Sequence, residues 1–122
     1  MAHLMTWEAG GLYRKFTGEI SAPEIIKLKL ALNADVRFRD IKYIINDFSE
    51  ISEHSLMVEH AEALSRMNEV MSNTKHKLKI ALVATDERLL YFAESYCAFM
   101  KNKVFECALF HNVEDARKWT DV

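Results

Sequence analysis

Apolar and polar positions alternate in short stretches at the start of the chain and settle into helical spacing further on. Leu4 to Glu8 and Leu12 to Thr17 carry strand-forming residues on either side of Gly10-Gly11, and glycines there permit the positive φ angles of a tight hairpin turn. Ser21-Ala22-Pro23-Glu24 has the form of a capping box, with Ser21 set to accept from the third helical amide and Glu24 to reach back to the cap. The proline fits because first-turn amides have no helical partner. Ile25, Leu28 and Leu32, with Ile26 and Leu30 beside them, then predict one apolar helix face.

Tyr43-Ile44-Ile45 leads into Asn46-Asp47-Phe48-Ser49, so a short buried strand is predicted to end where the polar residues begin. A long helix follows from about Ser52 or Ser55 to Ser72, with Leu56, His60, Leu64, Met67 and Met71 recurring every three or four residues. The unbroken run Ile80-Ala81-Leu82-Val83-Ala84 suits a central parallel strand covered on both faces. Thr85-Asp86-Glu87 caps a helix to about Met100, whose inner stripe is Leu89, Ala93, Tyr96, Cys97 and Met100, and Leu90, Tyr91, Phe92 and Phe99 widen its apolar surface. Cys107-Ala108-Leu109-Phe110 is the last strand, and Asn112 caps a terminal helix holding Val113, Ala116 and Trp119. The order β-β-α-β-α-β-α-β-α predicts an α/β fold whose later strands are parallel through right-handed crossovers, with the hairpin making the sheet mixed.

Composition narrows the picture. A chain of 122 residues buries roughly two-thirds of its unfolded surface, which suits one domain with one core, and three glycines with one proline leave no linker to divide it. Sixteen basic against eighteen acidic residues, mixed along the chain, form no basic stripe for nucleic acid. Nothing approaches a membrane-spanning run, and Met1 to Glu8 lacks the features of a signal peptide, so the expected location is the cytoplasm. Cys97 and Cys107 lack Cys-x-x-Cys or metal-finger spacing and read as reduced core thiols, a disulfide being the open alternative.

The order of elements, with Asp47-Phe48-Ser49 closing the third strand, resembles the STAS fold of anti-sigma-factor antagonists. The chain is more closely similar to the SpoIIAA-like family of small bacterial STAS/SEC14 proteins. Gly18-Glu19-Ile20, the Tyr43-to-Phe48 strand, Ile80 to Asp86, Tyr96, and Val113-Glu114-Asp115-Ala116-Arg117-Lys118-Trp119 carry the likeness. It implies a binding module, not an enzyme, that docks a protein or a nucleotide. It also implies a switch by phosphorylation of a serine in an Asp-Ser-Ser-Gly stretch at a helix start. Here that stretch is Glu53-His54-Ser55-Leu56, in which Ser55 alone matches by type. The SEC14 side implies a pocket for a lipid or other apolar small molecule, and family members of this size imply a homodimer.

Open α/β sheets gather ligands beyond the carboxyl ends of their parallel strands. That edge is predicted to hold Asp47, Ser49, Thr85, Asp86, His111 and Asn112 as partner or ligand contacts, with Ser55 as the phosphoacceptor. Asp86 and Asn112 are equally natural helix caps, as is Ser52 or Ser55. His60, seven residues after Glu53, is either half of a pH-sensitive pair or a packing residue. Tyr91, Phe92, Tyr96 and Phe99 are the candidate apolar interface or pocket, since an excess apolar face must be covered. His54 and His60 lie about 600° apart around a helix and build no metal-binding face. No Gly-x-Ser-x-Gly turn frames a serine, and Gly10-Gly11 lies in a hairpin and not in a phosphate loop, so no metal, cofactor or catalytic residue is assigned.

Overall fold

The strands and helices follow the predicted order in a computed structural model that describes residues 2–75 and 77–121. The hairpin pairs β1 (Ala2–Glu8) with β2 (Gly11–Ile20), antiparallel, with Glu8 opposite Gly11. The two glycines divide the work. Gly10 turns the chain at φ +83°, whereas Gly11 is already in the strand, where an added Cβ would lie 1.9 Å from a ring carbon of Tyr43.

Helix α1 (Ala22–Ala34) starts after Ser21, whose Oγ donates to Glu24 Oε1 at 2.7 Å, so the box residues meet side chain to side chain instead of capping the backbone. Leu32 is buried with Ile25, Ile26 and Leu28 packed near it, but Leu30 is exposed. Leu30 stands about 200° from both Leu28 and Leu32 on a helix, off the stripe that sequence proximity had suggested. A 3-10 turn at Val36–Arg39 then buries Phe38 against Phe105.

The largest departure is β3 (Tyr43–His54), which continues well past the polar residues expected to end it. Helix α2 (Val58–Met71) accordingly begins later than Ser52 or Ser55, with His60 Nδ1 accepting the Met57 amide at 2.9 Å across its first turn. The rest follows expectation closely: β4 (Leu78–Val83), α3 (Glu87–Phe99) capped by Asp86, β5 (Phe105–Phe110), and α4 (Val113–Thr120), whose cap Asn112 accepts the Asp115 amide at 2.7 Å.

The sheet order is β1-β2-β3-β4-β5, parallel from β2 onward. Each crossover steps to the next strand on the same side, so right-handedness puts α1, α2 and α3 on one face. The main core lies there, with Leu12, Ile44, Leu78, Ile80, Leu82 and Phe105 turned toward Leu32, Leu64 and Leu89. On the opposite face α4 sets Ala116 against Ile45, Ala81 and Val83, all four fully buried. Strand alternation explains the division along β4, since successive side chains face opposite sides. This winding has a consequence for sites: the strand order never reverses within the parallel part, so there is no switch-point crevice of the doubly wound kind.

Candidate functional site

Strand β4 accompanies β3 only as far as the pair Asp47 and Val83. Beyond it β3 runs on with β2 alone, from Thr17 opposite Glu50 to Ile20 opposite His54, and two register shifts place extra residues in β3. Such bulges bend and twist a strand, and here they carry its last turn over the carboxyl end of the sheet. Arg88, in the first turn of α3, ties the overhang down: its Nη2 donates to the Ser52 carbonyl at 3.0 Å and to Asp86 Oδ2 at 2.6 Å. His54 accepts the Leu56 amide at Nδ1, 3.1 Å, and so donates from Nε2 to the Arg88 carbonyl at 2.9 Å. The Arg88 guanidinium holds the Asp86 carboxyl well below its usual range, to about 2. The Ser55 amide donates to the Ile20 carbonyl at 3.2 Å, which fixes the backbone while the side chain stays exposed.

The predicted rim residues thus separate. Ser55 and Asp86 come to this corner, linked through His54 and Arg88. Asp47 does not: it is buried on the α4 face, where it accepts the Tyr13 hydroxyl at 2.6 Å and the Ser49 amide at 3.0 Å. Burial, with the Asp47 charge beside it, pushes the Tyr13 phenol up and keeps it a donor. Ser49 is exposed within β3 and not in a loop, and His111 is exposed after β5, with no hydrogen bond or ion pair to the corner among the described residues. Ser55 caps no helix, and His60 bonds Met57 and not Glu53. An open hollow of about 320 Å³ beside Ser55 has Glu19, Glu24 and Glu53 in its wall.

The apolar surplus of α3 is taken up mostly inside the molecule. Phe92 and Tyr96 are buried and stacked at 6.3 Å, Leu90 and Phe99 pack against the main core, and Tyr91 is left exposed. The reason for expecting a homodimer contact on this helix shrinks to one residue. Cys97 and Cys107 are free thiols with sulfurs 3.3 Å apart.

A second cluster, buried under the helices, is absent from the sequence reading. Arg14 is 7% exposed; its Nε donates to Asn46 Oδ1 at 2.9 Å and its guanidinium lies 5.9 Å from the Phe16 ring centre. Lys29 is half-buried, and its ammonium donates to Asn68 Oδ1 at 2.5 Å. Asn68 in turn donates to the Tyr96 hydroxyl at 2.5 Å. A cavity of about 40 Å³ opens between them, walled also by Phe48, Leu64, Leu82 and Phe92. Among the described residues no carboxylate pairs with either cation. Burial and the charge of Arg14 bring the Lys29 ammonium down to about 7. The signal was present: Arg14 sits between Leu12 and Phe16 in strand alternation, and Lys29 falls on the Ile25-to-Leu32 helix stripe. Among the described residues no group of three or more His, Cys, Asp and Glu is placed to hold a metal ion, and no helix is long and apolar enough to cross a membrane.

The sequence matches no protein-family model and no curated protein. Solved structures do match along the whole length. An uncharacterised protein of the DUF3478 family from Shewanella loihica PV-4, with a SpoIIAA-like fold, aligns at TM-score 0.56 and 16% identity over 98% of this chain and 92% of its own. An anti-sigma factor antagonist from Mycobacterium paratuberculosis aligns at 0.61 and 15% over 99% and 94%. The unphosphorylated form of the antagonist SpoIIAA aligns at 0.59 and 12% over 98% of each chain. Element order, mixed sheet and these alignments agree: the chain has the SpoIIAA-like, STAS-type fold.

Proposed function

We propose that the chain is a docking module without catalytic activity of its own, which binds a partner protein at the corner formed by Glu53, His54, Ser55, Asp86 and Arg88. The observation that supports this reading is the pinned overhang of β3, which presents the exposed Ser55 on backbone held at 3.2 Å to Ile20 and, three residues earlier, at 3.0 Å to Arg88. A preorganised surface loses little freedom on binding, so more of its contact energy appears as affinity. Two of the structures that share the fold are described as anti-sigma factor antagonists, and SpoIIAA is also known in a phosphorylated form. A regulatory protein-to-protein role is therefore the natural one for this corner.

Phosphorylation of Ser55 would act here by repulsion. A phosphoryl group adds roughly −1.5 to −2 charge at neutral pH, and the hollow beside Ser55 is walled by three glutamates. The modified loop would be driven off its seat and a docked partner released. A lipid-sized cargo has no comparable support, because the apolar-walled cavity under the helices measures about 40 Å³, against roughly 300 Å³ or more for a drug-sized ligand site.

The test is affinity capture from lysate of the source cells with three baits: the unaltered chain, Ser55→Trp at the corner, and Lys118→Glu on α4. A protein retained by the first and third baits and lost from the second is the expected result. Retention by Ser55→Trp, or the absence of any specific protein, overturns the assignment.

A further inference from the structure

Arg14 on β2 and Lys29 on α1 place two cationic groups against one small cavity, and each is met by a single neutral amide oxygen, from Asn46 and Asn68. Buried charges are ordinarily paired, because desolvation is otherwise uncompensated. Among the described residues neither cation has a carboxylate partner, and the Arg14 Nη1 and Nη2 groups bond no protein acceptor. Arg14 and Lys29 both line this cavity.

We propose that this cavity is a binding site for the carboxylate of a short-chain organic acid, held by the Arg14 guanidinium fork and the Lys29 ammonium. The planar fork offers two parallel N–H donors, the geometry that a carboxylate accepts. A volume of about 40 Å³ holds roughly three to four water-sized groups at about 10–15 Å³ each, the size of a carboxylate with at most one carbon attached. Phe48, Leu64, Leu82 and Phe92 close the remaining walls with apolar surface and suit that carbon. Asn46, itself in the cavity wall, and Asn68 hold the two cations in place through their amide oxygens. Tyr96 from α3 lines the cavity with Lys29, and Cys107 from β5 lies near the ammonium; neither is anionic near neutral pH, since burial raises Tyr96, and the hydrogen bond with Cys97 together with burial raises Cys107. The site is independent of the Ser55 corner, and either assignment can fail alone.

The test is titration of the full chain, labelled with nitrogen-15, with sodium formate and sodium acetate at constant ionic strength, following the Arg14 Nε–H and Lys29 backbone amide signals. A saturable shift with the acids and none with chloride or with acetamide is the expected result. Affinity should fall as pH rises from 6 to 8.5, because Lys29 loses its charge near 7, and should drop tenfold or more in Arg14→Gln and in Lys29→Gln. The contrast between acid and amide needs no variant, so a variant that fails to fold does not spare the proposal. Equal shifts with chloride or acetamide, a response to inorganic phosphate and to no carboxylate, or undiminished binding in a folded Arg14→Gln would each overturn it.

Discussion

Lys29 makes the pH dependence of stability specific. In the unfolded chain its ammonium titrates near about 10.4, and in the folded chain near about 7. Between those values the unfolded state binds the extra proton, so stability rises with pH across the window and the contribution levels off below 7. Urea denaturation at pH 6, 7.5 and 9 should show the rise in the unaltered chain and a flatter profile in Lys29→Met; identical profiles would remove Lys29 as the cause. The thiols make a second case at the same scale. Cys97 and Cys107 lie with sulfurs 3.3 Å apart, and the hydrogen bond of Cys107 to Cys97, with burial, keeps the Cys107 thiol protonated. A two-electron oxidant such as diamide should join them, with loss of two hydrogens by mass and no dimer on a non-reducing gel. Oxidation that gives only cross-linked dimers would contradict that pairing. Residues of this kind were hard to read from sequence, since Arg14 and Lys29 acquire meaning only when β2 and α1 bring them to one cavity. Asp86 and Asn112 were legible as caps because a cap depends on neighbours two or three positions away.

At the scale of the element, the hairpin shows how two adjacent glycines differ. A methyl group at Gly11 would meet the Tyr43 ring at 1.9 Å, so the ring must swing and give up its 2.6 Å hydrogen bond to Glu8. Gly11→Ala should therefore destabilise by about 1–3 kcal/mol through overpacking, whereas Gly10→Ala meets open space and costs about 1 kcal/mol for its positive φ. Thermal melts of the two variants check the order, and a Gly11→Ala protein as stable as the unaltered chain would refute the contact. Strand β3 is the element that sequence misjudged. The polar residues of Asn46-Asp47-Phe48-Ser49 read as the end of a strand and Ser52 as a helix start, yet β2 pairs with β3 as far as His54 and leaves Ser49, Glu50, Ser52 and Glu53 exposed. Polarity reports burial and not pairing, so an exposed two-stranded extension reads as a loop. The same misreading moved the start of α2 and put Ser55 at a cap it does not form.

For the whole molecule, the alternation of apolar strands and two-faced helices sufficed for the architecture. The continuous run from Ile80 to Ala84 indicated a strand covered on both faces, and Ala81 and Val83 do face α4 while Ile80 and Leu82 face the main core. What the alternation left undetermined was the direction of winding. Sequential stepping of every strand removes the crevice that a reversal would create, and with it the convergence of Asp47, Ser49 and His111 at one rim. The sequential order also bears on how the chain is made. Every strand pairs with the one synthesised just before it, so each new segment emerging from a ribosome finds its template already present, and no early strand has to wait for a late one. Contacts between near segments close small loops at low entropic cost. Helix α4 reaches back across β5, β4 and β3, and until it arrives Ile45, Ala81 and Val83 remain a bare apolar strip on which an unfinished chain is open to aggregation.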